Sequence, residues 1–516
     1  MDQFISKHDK SVIGVLSGWD RIVFRGTLRI LCVVTGMMEY LNHASVLLRD
    51  FGAHAEAMTA TLLKASLEAA ERCERPVRYL PSSATDKGEV ALEILREHPI
   101  ESGLVCVLKC VEPCLSFEIY RDREAKQIDL RAKHRKCLHL YHYFLDPYFG
   151  LMNARIQTWF PFSVQICLNG RQWLARKMDK TGLAYDRHDN SFPWIADFEK
   201  AQHQMNGLHK LNWPRFLDSI AQRLNPAGTQ MFECFPVSYY WSGYQTEWAT
   251  DVAFSSHQAL ASIYPQLTRG AITSFSSTDV MRFLGRRYNS RFSGEIVSDF
   301  KERPEGIRVK HQVNGNSLKM YDKGPNVLRI ETTINHPRDL KVYRTSENDP
   351  EGCKKWLPMR KGVADLYRRA QLSHKANERY LDALAQLDTT TRLEDLFAPV
   401  SRSFKRKGKT NRALRLWTLE DQTLLEAINR PEFLLAGFRN RDLSMTLYPN
   451  DQATSAARNR AAARISYRLR ILRAHGLIAK LSKTRRYRTT PKGRQIATAA
   501  IMSQKVTVEQ LAKAAA

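Results

Sequence analysis

GEIVSDF (294–300), EGIRVKHQV (305–313), NSLKMYDK (316–323) and NVLRIETTI (326–334) follow one another closely, parted by Pro-Glu-Gly, Asn-Gly-Asn and Lys-Gly-Pro-Asn. Apolar and polar residues alternate within each segment, and the residues between them are those that supply turn geometry. The pattern predicts an antiparallel meander over 294–335. Period-two alternation sets Lys319, Tyr321 and Lys323 on one face of the third segment, and Arg329 and Glu331 opposite Leu328 and Ile330 on the fourth.

Upstream, 104–120, 137–145 and 154–168 are rich in β-branched and aromatic residues and read as further strands. NGRQWLARKMDKTGL (169–183) has an Asn start and a Gly stop, so a strand is expected to feed a helix there. Residues 1–100 read as mainly helical, with the clearest apolar spacing between Val46 and Leu67, and 184–290 as largely helical with aromatic interruptions. The expected organisation is therefore a helical N-terminal region (1–100), a mixed sheet-containing core (101–350), a helical segment (351–400), a basic linker (401–412), a nucleic-acid-binding module (413–500) and a tail (501–516). The fold class is α/β of the α+β kind: a mixed body with an antiparallel sheet, plus a C-terminal domain.

The chain has 516 residues, with 79 Lys and Arg against 53 Asp and Glu, a formal charge of +26. That balance points to a polyanionic partner. Residues 401–516 hold 25 basic and 7 acidic residues, so +18 of the excess lies there. Hydrophobic residues make up 43% and Gly and Pro are few, which excludes collagenous and wholly disordered classes. No apolar run approaches the ~18 residues of a membrane span, and the N-terminus lacks a signal core, so a cytoplasmic protein without a membrane partner is expected. Nine cysteines without a Cys-x-x-Cys pair suggest reduced thiols.

Beyond 413 the pattern is three helices, a strand, a basic turn, a second strand and a closing helix. RLRILRAHGLIAKLSKTRRYRTTPKGR (468–494) resembles the winged-helix domains of bacterial MarR-like and ArsR-like regulators. The resemblance implies a recognition helix in the major groove and a wing on the backbone. It assigns Arg464, Tyr467, Arg468, Arg470 and Arg473 to helix contacts, and Lys483, Arg485, Arg486 and Arg488 to wing contacts, with a homodimer as one form. Winged helices also serve as protein-docking modules, a role that the local charge disfavours.

In the meander, Asp299, Glu302 and Glu331 are candidate ligands for Mg²⁺ or Mn²⁺, with Lys310 and His311 nearby. Lys-x-Tyr-Asp-Lys followed by Leu-Arg-x-Glu (319–331) is similar to a strand pair of the rolling-circle replication initiators of filamentous phages and plasmids. That similarity implies metal-dependent strand nicking, with Tyr321, Lys323 and Glu331 as catalytic candidates. Those enzymes carry a His-hydrophobic-His pair, whereas here the nearest text is His139-Leu-Tyr-His142. The same charged residues also fit a solvated sheet face with cross-strand pairs. Tyr239, Tyr240 and Tyr244 are alternative nucleophiles or stacking platforms, and with Trp241 and Trp248 they equally fit a core. Cys106, Cys110, Cys114, Cys137, His139 and His142 lack standard zinc spacing, so zinc is not expected. Without a P-loop or Gly-x-Gly-x-x-Gly run, no nucleotide cofactor is expected either.

Two function classes follow. One is a DNA-binding replication-initiator-like or mobile-element protein with metal-dependent nicking. The other is a non-catalytic DNA regulator, or an RNA-binding component of a ribonucleoprotein particle.

Overall fold

The computed structural model describes residues 1–503 apart from 123, 125–126, 287–291, 293, 304–305, 347, 387–392, 407, 430–432, 434–436, 453 and 482–483. In chain order the first strands are β1 (Val12–Thr27), β2 (Val77–Leu80), β3 (Gly103–Asp122), β4 (Gln127–Asp146), β5 (Gly150–Gln157), β6 (Val164–Asn169), β7 (Tyr185–His188), β8 (Ser191–Ile195), β9 (Tyr240–Phe254), β10 (Ile296–Arg303), β11 (Gly306–Val313), β12 (Asn316–Asp322) and β13 (Val327–Ile334). The chain divides into two compact units. One holds residues 10–257 and 315–377, and the other holds 1–9, 258–314 and 378–516.

The first unit is built on a mixed sheet whose strands run β12-β13-β9-β1-β6-β5-β4-β3-β2. Neighbours are antiparallel except β2 and β3. Its central strands β1 and β9 are long, and β13 is buried along its whole length. Helices Phe51–Arg72, Gly170–Thr181, Phe198–Asn206 and Trp213–Leu224 send Leu62, Leu174, Met205 and Leu217 into the same core as Trp19, Phe24 and Trp248. The helix Phe198–Asn206 lies very close to β1, because a Cβ at Gly14 or Gly18 would overlap Phe198 or Met205.

The helix Gly170–Thr181 begins and ends where its caps predict. The Asn169 side chain accepts from the Arg171 and Gln172 amides at 2.8 and 3.0 Å, and Gly182 closes the helix at φ 65°.

The region 1–100 is mainly helical, but Val12–Thr27, after the first short helix Asp2–Lys7, is a central strand. Gly14, Gly18 and the Asp20-Arg21 pair break the alternation there, and burial on both faces of the strand removes the period-two signal. The aromatic run 240–254 is likewise the strand β9 rather than a helical interruption.

In the second unit β10 and β11 form an antiparallel hairpin, Ile296 pairing with Val313 and Arg303 with Gly306. All four meander strands thus form where alternation puts them, but the two hairpins fall in different compact units. The expected linker 401–412 contains a small hairpin, Phe404–Arg406 with Lys409–Asn411, and Arg412 is held by Asp421 at 2.7 Å. Helices Leu419–Ile428, Asn440–Leu447 and Ser455–Ala474 enclose a core of Leu424, Leu443, Ile465, Leu469 and Leu472. A short hairpin (Ile478–Lys480 with Tyr487–Thr489) and the helix Pro491–Ser503 follow. Phe438, between the first two helices, bridges to Tyr487 through backbone bonds of 2.9 and 2.8 Å.

Candidate functional site

Strand pairing converges charge on one face of the first unit. In register, Lys319 sits beside Glu331 and Tyr321 beside Arg329, while Arg329 faces Asp251 and Thr333 faces Glu247. A register shift between Trp19 and Ile22 interrupts the β1–β9 pairing at Asp20, and irregularities of this kind re-aim a side chain. One oxygen each from Asp20, Glu247 and Glu331 lies within 4.8 Å of the others. These are hard oxygen donors of the type that Mg²⁺ or Mn²⁺ takes.

The cluster is also heavily partnered. Glu331 accepts from Lys319 Nζ at 2.5 Å, Tyr321 OH at 2.7 Å and Thr333 Oγ1 at 3.2 Å. Arg329 donates from Nε and Nη2 to the two oxygens of Asp251 at 2.6 and 2.8 Å, and from Nη1 to Asp20 at 3.2 Å. Asn190 donates to both Asp20 oxygens at 2.7 and 3.0 Å, and Arg171 pairs with Asp251 at 3.1 Å. Arg171 and Arg329 are fully buried, and Asp20 and Glu331 are 4% and 3% exposed.

Burial pushes the Asp20 carboxyl up against the pull of Arg329, and burial followed by the nearby Glu331 charge pushes Glu247 up as well. Burial works the same way on Glu331, but Lys319, Tyr321 and Arg329 outweigh it and hold that carboxyl below its usual range. Asp251 is held low against its own burial by Arg171 and Arg329. Two carboxylates therefore stay ionised against three cations, while two are pushed toward the protonated form. A divalent cation would bind in place of those protons.

Tyr321 and Glu331, expected together, are in contact. The phenol donates to Glu331, and burial and that carboxylate raise its pKa well above 10, so it keeps its proton and serves as a hydrogen-bond donor. Lys323 pairs instead with Asp189 at 2.6 Å. Asp299 belongs to the other unit, where it sits opposite Lys310, and the Glu302 side chain lies outside the described residues. His311 is buried between Ser298 (2.8 Å) and Tyr380 (3.0 Å), which makes it a packing residue. On β4, His139 lies 3.1 Å from the Cys137 carbonyl oxygen, and burial lowers both His139 and His142 to about 4. Trp241 and Trp248 fill the core, whereas Tyr240 and Tyr244 are exposed.

Asp20, Glu247 and Asp251 carry no motif that marks them as site residues, and Arg171 reads only as a scattered basic contact. The available signal was a carboxylate isolated in an apolar strand, as in VLSGWDRIVF (15–24) and EWATDVAF (247–254).

In the second unit, Arg464, Tyr467, Arg470 and Arg473 are exposed on the helix Ser455–Ala474, and Arg485 is exposed on the following turn. Arg470 lies over the Tyr467 ring at 5.1 Å, and Arg464 is 3.7 Å from Asp451. Arg468 departs from its expected contact role. It follows Ile465 by three residues and precedes Leu472 by four, so it turns inward, is buried and pairs with Glu420. Arg486 and Arg488 are half-buried and donate to the Gly437 carbonyl (3.1 Å) and Thr278 Oγ1 (2.9 Å). Lys483 lies outside the described residues. Arg494, buried at the start of the last helix, pairs with Asp279 at 3.2 Å.

No helix among the described residues is long and apolar enough to cross a membrane. Compared with known proteins, the chain matches no family model, no curated protein and no solved structure.

Proposed function

We propose that this chain is a nucleic-acid-binding protein with DNA as its favoured ligand, docking through residues 413–500 as a winged helix. The observation that carries the reading is the surface made by Arg464, Tyr467, Arg470, Arg473 and Arg485, which stays exposed after the neighbouring arginines are taken up by protein partners. Supporting it are the order of three helices and a hairpin, and the single backbone bridge that ties Phe438 to Tyr487 of that hairpin. Guanidinium groups on a helix and an adjacent turn suit phosphate oxygens and base edges.

The test is R464Q/R470Q/R473Q/R485Q in the full chain, titrated against labelled duplex DNA at several salt concentrations. Four lost phosphate contacts should flatten the salt slope by about 3 to 4, since each contributes ~0.9. Unchanged affinity and slope would remove the proposal. Competition with RNA of the same sequence separates the DNA regulator from the ribonucleoprotein alternative.

A second reading, a replication-initiator-like or mobile-element nickase, is favoured by the approach of Asp20, Glu247 and Glu331. In it these carboxylates hold Mg²⁺ or Mn²⁺, in place of the set Asp299, Glu302 and Glu331. A bound cation would polarise a phosphodiester, and Lys319 would orient Glu331. Metal-dependent cleavage of single-stranded DNA, lost in Asp20→Asn, is the expected result. Intact substrate with either metal would leave the non-catalytic reading standing alone.

A further inference from the structure

The first unit carries a second basic feature that the C-terminal helix does not explain. The ends of β1 and β9 and the segment after β13 enclose an open groove of about 1020 Å³. Its lining includes Arg25, Arg29, Arg338 and Lys361, all exposed, and no acidic side chain among the described lining residues. Two further lining arginines serve the fold. Arg360 is bound to Asp365 at 3.2 Å, and Arg344 donates to the carbonyls of Thr345 and Pro358. The other four cations make no ion pair with a described carboxylate, and they face a common space.

Aromatic rings accompany them. Tyr240 and Tyr244 both line the groove, and Tyr244 is 52% exposed. The Arg29 guanidinium lies 4.3 Å from the Tyr240 ring centroid, and that of Arg25 lies 5.9 Å from the Tyr244 centroid. A smaller cavity of about 440 Å³ adjoins the groove, sharing Arg29 and Tyr240, and is otherwise walled by Ile30 and residues 235–239. The pairing of β9 with β1 sets this pattern. Successive side chains of a strand point to opposite faces, so Trp241 is buried beside exposed Tyr240, and Tyr244 is exposed where the β1–β9 register shifts opposite Val23 and Phe24.

We propose that this groove binds single-stranded nucleic acid, the four cations following the phosphates and Tyr240 and Tyr244 stacking on bases. Phosphate attraction alone would suit any polyanion, but exposed tyrosine faces gain stacking energy only from bases that are unpaired and accessible. A groove with no carboxylate among its described lining residues accommodates a continuous run of negative charge, and the small cavity beside Tyr240 is walled largely by Phe235, Pro236 and Val237, as the face of a base would require. The inference deepens the nucleic-acid reading but uses residues of the other compact unit, so the two fail separately.

The experiment titrates the full-length protein against fluorescent oligothymidylate, oligouridylate and a DNA duplex. Tyr240→Ala and Tyr244→Ala should each weaken oligothymidylate binding by about five- to a hundredfold, the range that loss of one stacked base gives. Tyr244→Trp should retain parental affinity. R25Q/R338Q/K361Q should reduce the salt slope for the single strand by about 2, at ~0.7 per phosphate. All of these variants should keep parental duplex affinity. Melting temperature and far-ultraviolet circular dichroism report folding, and Tyr244 and the three cations are exposed enough for their replacement to leave both unchanged.

If folded variants bind the single strand as the parent does, the groove assignment is overturned while the C-terminal docking surface stands. If the parent binds duplex only, the groove assignment is likewise overturned. If it binds neither strand form, both proposals fall. Comparison of the thymidylate and uridylate affinities assigns the groove to DNA or RNA.

Discussion

Arginines on β13 and on the helix Ser455–Ala474 have the same chemistry and opposite fates. Arg329 is fully buried, forks onto Asp251 and reaches Asp20. Arg464, Arg470 and Arg473 are exposed on their helix, and Arg468 between them is buried against Glu420. An arginine in a strip of carboxylates is part of the electrostatic core, and one that stays exposed on a helix is available to a ligand. Net charge cannot distinguish these cases, because both arginines count as +1. The 25 basic residues of 401–516 therefore overstate the free cationic surface, since Arg412, Arg468 and Arg494 are held by Asp421, Glu420 and Asp279.

The largest effect should come from the buried side of this contrast. Arg329→Met leaves Asp251 and Asp20 without their main cation, and should lower unfolding stability by about 3–5 kcal/mol, read as a shift in urea midpoint. Equal stability of the variant would mean that the strip is not an electrostatic core.

Acid should act next. His142 is buried, neither ring nitrogen is hydrogen-bonded among the described residues, and its pKa falls to about 4 from the ordinary 6.5. A lowered histidine pKa means that the unfolded chain binds the proton first. Stability is therefore complete above pH 6.5 and lost as pH falls toward 4. His142→Phe should remove roughly 2 kcal/mol of the loss between pH 7 and pH 5, at ~1.4 per unit across the 1.5 units below 6.5. Melting curves of parent and variant at both pH values measure it.

Arg468→Ala should cost about 1 kcal/mol of stability, because Glu420 is largely exposed and the pair is partly screened. Lys323→Ala should cost less than ~1 kcal/mol, since Asp189 is 69% exposed. Smallest in stability is Arg464→Ala, within ~0.5 kcal/mol by the same melts, while it should still weaken duplex binding. A stability loss at Arg464 matching that at Arg468 would erase the distinction between the two.

Local reading reached far where one element decides the outcome. The Asn169 cap and Gly182 stop bracket their helix, the four meander strands lie where alternation puts them, and Lys319, Tyr321 and Glu331 share a face. It failed where partners come from distant positions. Asp20 meets Glu331 from more than three hundred residues away, through a β1 irregularity that only Gly18 announces. Trp241 and Tyr240 are neighbours in a single aromatic run, yet strand geometry sends one to the core and one to the surface.

By itself the sequence determined the alternation of the strands, the helix caps, the excess of cations and its concentration after residue 400, because each depends on neighbours or on simple counting. Tertiary structure alone decided which carboxylates meet, which arginines they neutralise and which tyrosines remain exposed. Those outcomes depend on strand order and register, which bring together residues with no local signal in common.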